Sequence, residues 1–198
     1  MLWDEVYEDL KCSMEFAGIE LNLESILHEV ANNLYQGASI EEVQTAVITT
    51  LRPLVEKEPD VTYMLSNHLF KDIFYNAATL LGLDTEAIEE RDLLIPALKA
   101  LVAEQRLNPE VLEKFDLKEL TKTINSDKNR LLTFLSMQTL YDRYFIHLNN
   151  VRLETPQTFF MRVAMGLALK ETNPTLKAIE FYEVLSSMDA MSSTPTLS

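Results

Sequence analysis

The sequence predicts an all-α protein, a bundle-like set of helices that contains one small β-hairpin. Apolar residues recur at helical spacing along nearly the whole chain, and strand-like alternation is confined to residues 145–153. Only 4 of the 198 residues are glycine, so tight turns are scarce. Because 47% of the residues are hydrophobic, the chain can bury the core of one domain or of one and a half.

Three helices are predicted in the first fifty residues. Residues 6–17 carry an apolar face and end at Gly18, a residue suited to a left-handed helix stop. A second apolar stripe covers residues 23–34 and ends before a further glycine. Ser39 and Glu42 have the spacing of a capping box, which indicates the start of a third helix.

The middle of the chain is also predicted to be helical. Residues 58–60 start a fourth helix that reaches Leu81, and an acidic helix follows over residues 87–98, broken near Pro96. Asn108-Pro109 begins a short helical turn. Ser126 is predicted to cap one continuous helix that extends to Tyr144.

The last third combines the hairpin with two helices. Alternating residues on either side of Asn149-Asn150 predict a two-residue hairpin turn. Thr155-Pro156 and Asn173-Pro174 each place a capping residue before a proline at the first helical position, which starts the two helices.

Charge and composition exclude several functions. Lysine and arginine total 17 against 31 acidic residues, a net charge of -14 that repels nucleic acid. No apolar run is long enough for a membrane span, and an acidic start after Met1 differs from a signal peptide. A single cysteine, Cys12, excludes an internal disulfide. We therefore expect a cytoplasmic protein that binds neither nucleic acid nor membrane.

The sequence contains no recognisable active site of its own. His28, His68 and His147 are far apart and match no metal motif, so we expect surface or boundary residues and no metal site. Cys12 is expected to be a packed, inert thiol rather than a nucleophile. The acidic run from Asp84 to Asp92, which includes Glu90, lacks the pattern of a calcium loop and is expected to be a solvated helix face.

An ordered set of motifs occupies residues 108–198. Leu140-Tyr141-Asp142-Arg143-Tyr144-Phe145 precedes the hairpin, and Glu154-Thr155-Pro156-Gln157 and Phe160-Met161-Arg162-Val163-Ala164-Met165-Gly166-Leu167 follow it. Tyr182-Glu183-Val184-Leu185-Ser186 and Ser193-Thr194-Pro195-Thr196-Leu197 complete the set. In this combination the region resembles the N-terminal helical region of the large, catalytic subunit of class I ribonucleotide reductase.

The resemblance implies that the chain ends at the first strand of a ten-stranded α/β barrel that lies outside it. The family's redox and radical cysteines belong to that barrel, so no catalytic residue and no cofactor are expected here. Thr194 and Thr196 match the segment that contacts the substrate's phosphates, with a capped linker as the alternative. The helix from Pro156 to Gly166 is expected to be scaffold, with Arg162 a salt-bridged surface or interface residue.

Residues 4 to about 80 resemble the helices of an ATP-cone, the activity regulator of many such reductases. The matching segments are Tyr35-Gln36-Gly37, Ser39-Ile40-Glu41-Glu42-Val43-Gln44 and Glu58-Pro59-Asp60-Val61-Thr62-Tyr63-Met64-Leu65. The cone's basic hairpin is absent before the first helix. Its threonine is Ile40 here, and Asn76 replaces its lysine. This cone is therefore expected to be a degenerate structural cap, with a retained ATP/dATP switch as the alternative.

Three regions and one main function follow. Residues 1–82 form the degenerate cone, 83–107 an acidic helical connector, and 108–198 the reductase helical domain. The chain is expected to assemble with the remaining barrel, a second large subunit and a radical-generating small subunit that carries the metal cofactor. That assembly would reduce ribonucleoside diphosphates, and this chain alone would be inactive. The alternative is a free-standing helical adaptor, which could bind a partner through the face around Phe159, Phe160 and Met161. Burial of these three residues in the core of the domain is expected over such a face.

Overall fold

A computed structural model describes residues 2–189, and the side chains of all of these except Leu2, Ile40 and Glu41. The fold is all-α with one hairpin, which confirms the predicted class. The described chain divides into two compact units. Residues 2–69 and 132–138 form the first unit, and residues 70–131 and 139–189 form the second.

Helices in the first 80 residues follow the predicted order. They are α1 (Leu2–Ala17), α2 (Leu23–Asn32), α3 (Ile40–Leu51), a 3-10 segment (Arg52–Glu56) and α4 (Val61–Leu80). The predicted capping box is confirmed, because the Ser39 N–H donates to Glu42 Oε2 (2.7 Å) and the Glu42 N–H donates to Ser39 Oγ (3.3 Å). Gly18 has φ +69°, the left-handed conformation that glycine adopts without strain.

The core of the first unit comes from the apolar faces of α1 to α4. It is formed by Leu10, Ile26, Val30, Ala46, Val47, Leu51, Val61, Met64 and Leu65, all at least nine-tenths buried. These residues recur at the three- and four-residue spacing that a single buried helix face requires.

The second unit contains shorter helices and the hairpin. Its elements after α4 are a 3-10 segment (Glu90–Leu93), α5 (Leu94–Ala103), α6 (Glu110–Glu113), α7 (Leu117–Thr123), a 3-10 segment (Ser126–Leu131), part of α8 (Phe134–Arg143), β1 (His147–Leu148), β2 (Val151–Arg152), α9 (Pro156–Ala168) and α10 (Pro174–Ser186). Strands β1 and β2 pair antiparallel, His147 with Arg152 and Leu148 with Val151. Asn149 (φ 50°) and Asn150 (φ 64°) are both left-handed, as the favoured two-residue turn requires, so the predicted hairpin is confirmed.

Two predicted helices are wrong in extent. Residues 84–89 contain no helix, and α5 begins at Leu94. Pro96 lies in the first turn of α5, where backbone N–H groups have no partner within the helix, so its missing N–H breaks no helical hydrogen bond. The predicted helix from Ser126 to Tyr144 is divided into a 3-10 segment and α8. Thr133 caps the start of α8, because its Oγ1 accepts a hydrogen bond from the Ser136 N–H (3.3 Å).

α9 and α10 form the centre of the second unit. α9 is buried along almost its whole length, from Pro156 to Met165 and again at Ala168. α10 contributes Ala178, Tyr182, Leu185 and Ser186 as buried residues. The functional boundaries predicted at residues 82 and 107 stay predictions. No helix of the described range is both long enough and apolar enough to cross a membrane.

Candidate functional site

The predicted substrate residues, Thr194 and Thr196, lie outside the described residues. The described chain leads towards them through α10, which ends at Ser186 and is followed by Ser187, Met188 and Asp189. The most extensive polar site among the described residues is a network of buried polar side chains in the second unit.

The network begins at the carboxylate of Glu90, which is only 3% exposed. The Gln157 backbone N–H donates to Glu90 Oε1 (3.0 Å), and Asn129 Nδ2 donates to Glu90 Oε2 (2.8 Å). Gln157 lies in the first turn of α9, where backbone N–H groups have no partner within the helix. A carboxylate placed there satisfies one of them and interacts favourably with the helix dipole.

Opposing effects act on the pKa of Glu90. Burial removes the carboxylate from water and raises its pKa above the ordinary value of 4.5. Hydrogen bonds from the Gln157 backbone and from the side chains of Thr155, Ser126 and Asn129 lower the pKa, and burial is the larger effect. Glu90 is thus a buried acid whose charged form is disfavoured by burial more than neutral donors favour it.

From Glu90 the network continues into α10. Gln157 Nε2 donates to Asn129 Oδ1 (2.8 Å), and Tyr182 Oη donates to Gln157 Oε1 (2.9 Å). The Asn125 N–H donates in turn to Tyr182 Oη (3.0 Å). Tyr182 is fully buried, and burial raises its pKa to about 12. The phenol therefore stays protonated and can donate throughout the neutral range.

Lys128 connects the network to the last turn of α10. Its Nζ donates to Glu183 Oε2 (2.6 Å) and to Ser186 Oγ (2.8 Å), and lies 5.0 Å from the centroid of the Tyr182 ring. We call this set the buried polar network; its members are Glu90, Asn125, Lys128, Asn129, Gln157, Tyr182, Glu183 and Ser186.

An open cleft of about 540 Å³ lies beside the outer end of the network. Arg91, Lys122 and Lys128 line it, together with Glu89, Asp127 and Glu183. Arg91 pairs with Glu89 (2.8 Å) and Lys128 with Glu183, so positive and negative charges in the lining balance. A balanced lining gives no electrostatic preference for a phosphate group.

A second buried polar pair stabilises the start of α9. Glu154 is 2% exposed, and one of its oxygens accepts from the Ile146 N–H (2.8 Å). Arg162 Nη2 donates to Glu154 Oε2 (3.3 Å), and Arg162 Nε donates to Glu154 Oε1. Arg162 is 7% exposed, with its guanidinium 5.2 Å from the centroid of the Phe159 ring. The predicted salt bridge is confirmed, but Arg162 is buried rather than at the surface.

Other residues predicted from the sequence are partly corrected. Phe159, Phe160 and Met161 are fully buried in the second unit, which confirms the expected burial and leaves no partner-binding face there. His68 is 8% exposed, with Nδ1 2.9 Å from Asp9 Oδ2 in the first unit, because α4 places it on an inward face.

Cys12 and Glu90 also differ from expectation. Cys12 is exposed on α1 and not packed. The buried positions of that helix are occupied by Leu10 and Ser13 instead. Glu90 is not part of a solvated helix face, although Asp84, Glu86 and Asp92 are exposed. The sequence signal was too weak to find Glu90, since its partners are 39 and 67 residues away.

The region that contains α8, the hairpin, α9 and α10 has a counterpart among known families. Residues 130–198 match the family described as "Ribonucleotide reductase, all-alpha domain". This match confirms the resemblance of the region to reductase large subunits that was found in the sequence.

Similarity to particular reductases extends over most of the chain. The chain is 40% identical over 171 residues to the ribonucleoside-diphosphate reductase subunit alpha of Chlamydia muridarum, covering 84% of this chain and 16% of the relative. It is 33% identical over 164 residues to the subunit alpha of Helicobacter pylori strain 26695, covering 79% of this chain and 19% of the relative. The chain thus corresponds to the N-terminal region of reductase large subunits, and spans less than a fifth of the length of these relatives.

Proposed function

We propose that this chain acts as the N-terminal part of a ribonucleoside-diphosphate reductase large subunit. The match of residues 130–198 to the reductase all-alpha domain is the observation that carries the proposal, because it extends through the Thr194-Pro195-Thr196 segment. Joined to the rest of the subunit, to a second large subunit and to a radical-generating small subunit, the chain contributes to the reduction of ribonucleotides to deoxyribonucleotides.

Within that assembly, Thr194 and Thr196 bind the diphosphate of the substrate. Threonine hydroxyls and backbone N–H groups of an extended segment are neutral donors that suit an anion. Neutral donors can bind an anion without a nearby cation, in a chain whose 31 acidic residues outnumber its 17 basic ones. The rest of residues 108–198 forms the scaffold for this segment.

The radical and redox steps take place outside this chain. A redox cysteine pair needs two thiols, and the sequence has one cysteine, Cys12. Cys12 lies exposed on α1 in the first unit. We therefore expect residues 1–198 alone to have no reductase activity, with the metal or radical cofactor held by the small subunit.

The cone-like first region serves as a structural cap rather than as an ATP switch. Binding a triphosphate needs cations, and the position of the cone's lysine is Asn76, which is neutral and donates to Asp72 Oδ1 (3.1 Å). Calorimetric titration of the chain with ATP and dATP tests this point. No heat of binding is expected at millimolar nucleotide, and saturable binding would reinstate the regulatory alternative.

The main experiment reconstitutes the reductase from residues 1–198, the remainder of the large subunit and the small subunit, and measures CDP reduction. Removing one hydroxyl by Thr194→Ala or Thr196→Ala should raise the KM for CDP about tenfold, the effect of one lost hydrogen bond to a charged group. Thr196→Ser keeps the hydroxyl and Ser193→Ala removes one from a neighbouring residue, so both should keep the wild-type KM.

Two results would refute the proposal. One is a reconstituted wild-type enzyme without CDP reduction, and the other is a KM that neither Thr194→Ala nor Thr196→Ala changes. The adaptor alternative predicts that truncation after Ser187 leaves partner binding intact, whereas a reductase part loses all complementation. That alternative also lacks its expected surface, since Phe159, Phe160 and Met161 are buried.

A further inference from the structure

Glu90 is a buried acid that faces no cation among the described residues. It is 3% exposed, and all of its hydrogen-bond partners are neutral. These partners are the Gln157 N–H, Asn129 Nδ2 and the hydroxyls of Thr155 and Ser126. Burial disfavours an ionised acid unless a cation replaces the hydration that the acid loses. The fold therefore favours a proton on Glu90.

Charged groups on the elements around Glu90 are exposed or engaged elsewhere. The exposed ones are Asp92, Lys99 of α5, Lys118, Glu119 and Lys122 of α7, and Asp127 and Arg130 of the 3-10 segment 126–131. The remaining ones pair with one another, namely Arg91 with Glu89, Lys128 with Glu183, Lys177 with Glu180, and Arg162 with Glu154. The phenol of Tyr182 donates to Gln157. No described charge thus compensates the burial of an ionised Glu90.

The hydroxyls around Glu90 can accommodate its proton. A protonated carboxyl group gains one O–H, which needs an acceptor, and keeps acceptor capacity of its own. Thr155 Oγ1 can accept this O–H, because the Thr155 hydroxyl hydrogen has another acceptor in Thr158 Oγ1 (2.9 Å). Rotation of the Thr155 hydroxyl from Glu90 to Thr158 therefore converts a donor to Glu90 into an acceptor from it.

Ser126 connects Glu90 with the open cleft. Its hydroxyl bonds to Glu90, and the same residue lines the cleft of about 540 Å³ together with Asn125, Asp127 and Lys128. Ser126 also begins the 3-10 segment 126–131, and hydrogen-bond geometry in a 3-10 helix is poorer than in an α-helix. On the other side of Glu90 lies α9, which is buried along almost its whole length. Water can therefore reach Glu90 through the segment 126–131.

We propose that Glu90 and the 3-10 segment 126–131 form a pH-sensitive switch. While the proton is on Glu90, the segment is closed over a dry carboxyl group. When the proton passes by way of Ser126 to water in the cleft, the segment opens and the ionised carboxylate becomes hydrated. The switch is a property of the 198-residue chain and goes beyond the proposed function, so either can fail without the other.

Amide hydrogen exchange of the 198-residue chain at a series of pH values, corrected for the intrinsic pH dependence of exchange, tests the switch. Burial raises the pKa of Glu90 above 4.5, so opening of residues 126–131 should increase about tenfold per pH unit above 4.5, until the raised pKa is passed. Glu90→Gln is neutral at every pH and should abolish the increase. Glu154→Gln is the matched control, because it also converts a buried carboxylate of the second unit to an amide, and it should keep the increase.

Two serine variants test the route to the cleft. Ser126→Ala removes a donor to the ionised form of Glu90, so the pH at which opening levels off should rise by about one unit. Ser187→Ala removes a hydroxyl that contacts Val184 and Asp189 instead, and should leave that pH unchanged. Equal effects of the two variants would contradict the route through Ser126.

Urea distinguishes a local switch from unfolding of the whole unit. Opening of residues 126–131 should depend little on urea, because a local opening exposes little surface. A urea dependence equal to that of the α10 amides would refute the switch, and so would opening in wild type that does not change with pH. If Glu90→Gln does not fold, carboxyl titration of wild type by carbon-13 NMR decides instead. A carboxyl group must then titrate above pH 4.5 with the midpoint found for residues 126–131, and a different midpoint would refute the switch.

Discussion

Removing the guanidinium of Arg162 should destabilise the second unit strongly. Arg162 and Glu154 are 7% and 2% exposed, so each charge depends on the other rather than on water. In Arg162→Met the Glu154 carboxylate keeps only the Ile146 N–H as a donor from among its described contacts. A buried charge left without its partner costs about 3–5 kcal/mol. We expect a loss of this size in the free energy of unfolding of the second unit.

A double-mutant cycle separates the pair from its surroundings. In Glu154→Leu with Arg162→Met neither charge remains, and the main loss is the unpaired Ile146 N–H, which costs about 1–3 kcal/mol. The double variant should therefore be more stable than the sum of the single changes predicts, by about 2 kcal/mol or more. As a control, Glu110→Gln removes the half-exposed pair with Lys114, and exposed pairs of this kind contribute about 0–1 kcal/mol.

The assay must report on the second unit alone. Trp3, the single tryptophan, lies on α1 in the first unit, so its fluorescence does not follow the unfolding of α9. Native-state hydrogen exchange of α9 amides in increasing urea gives the local free energy directly. A loss below about 1 kcal/mol in Arg162→Met, or an additive cycle, would show that the buried pair does not stabilise the unit as argued.

Three further predictions concern pH and the hairpin. Burial raises the folded-state pKa of Glu90, so its proton stabilises the fold fully below pH 4.5 and that contribution is lost as pH rises through the raised pKa. In urea unfolding, the stability of wild type relative to Glu90→Gln should therefore fall as pH rises above 4.5, and a difference that does not change with pH would contradict the raised pKa. The pKa of Tyr182 is raised from 10.0 to about 12, so the stability that its proton contributes is lost as pH rises between those values. The difference in tyrosinate absorbance between wild type and Tyr182→Phe should titrate near pH 12, and a midpoint near 10 would contradict the burial of Tyr182. Asn150 has a φ of 64°, so Asn150→Ala should lower the stability of the hairpin by about 1 kcal/mol and Asn150→Gly should not. Thermal unfolding measures both effects, and equal effects would argue against the left-handed turn.

Features with a local signal were predictable from the sequence. Ser39 and Glu42 are three residues apart, and the capping box that they form requires nothing beyond that spacing. The Asn149-Asn150 turn is likewise local, because the preference of asparagine for positive φ belongs to the residue itself. Thr155-Pro156 correctly marked the start of α9 for the same reason.

The predictions failed where burial decides the outcome. An acidic run normally indicates a solvated surface, and for Asp84 and Glu86 that expectation agrees with their exposure. Glu90 belongs to the same run but contacts the first turn of α9, which lies 67 residues away. Arg162 was expected at the surface because arginine is seldom buried without a partner, and no local pattern showed that Glu154 would be that partner.

A carboxyl group in this core does something that an apolar side chain at position 90 cannot do. Leucine at position 90 would pack without a desolvation cost, and replacing buried ionic groups by apolar ones is often neutral for stability. Leucine would nevertheless leave the Gln157 N–H unpaired and the Asn129 and Gln157 amides free to turn over, since each amide can either donate or accept. A carboxyl group that accepts at both oxygens, as Glu90 does, removes that ambiguity for every bond that follows it. The buried acid therefore contributes a single arrangement of α9 and α10 more than it contributes stability.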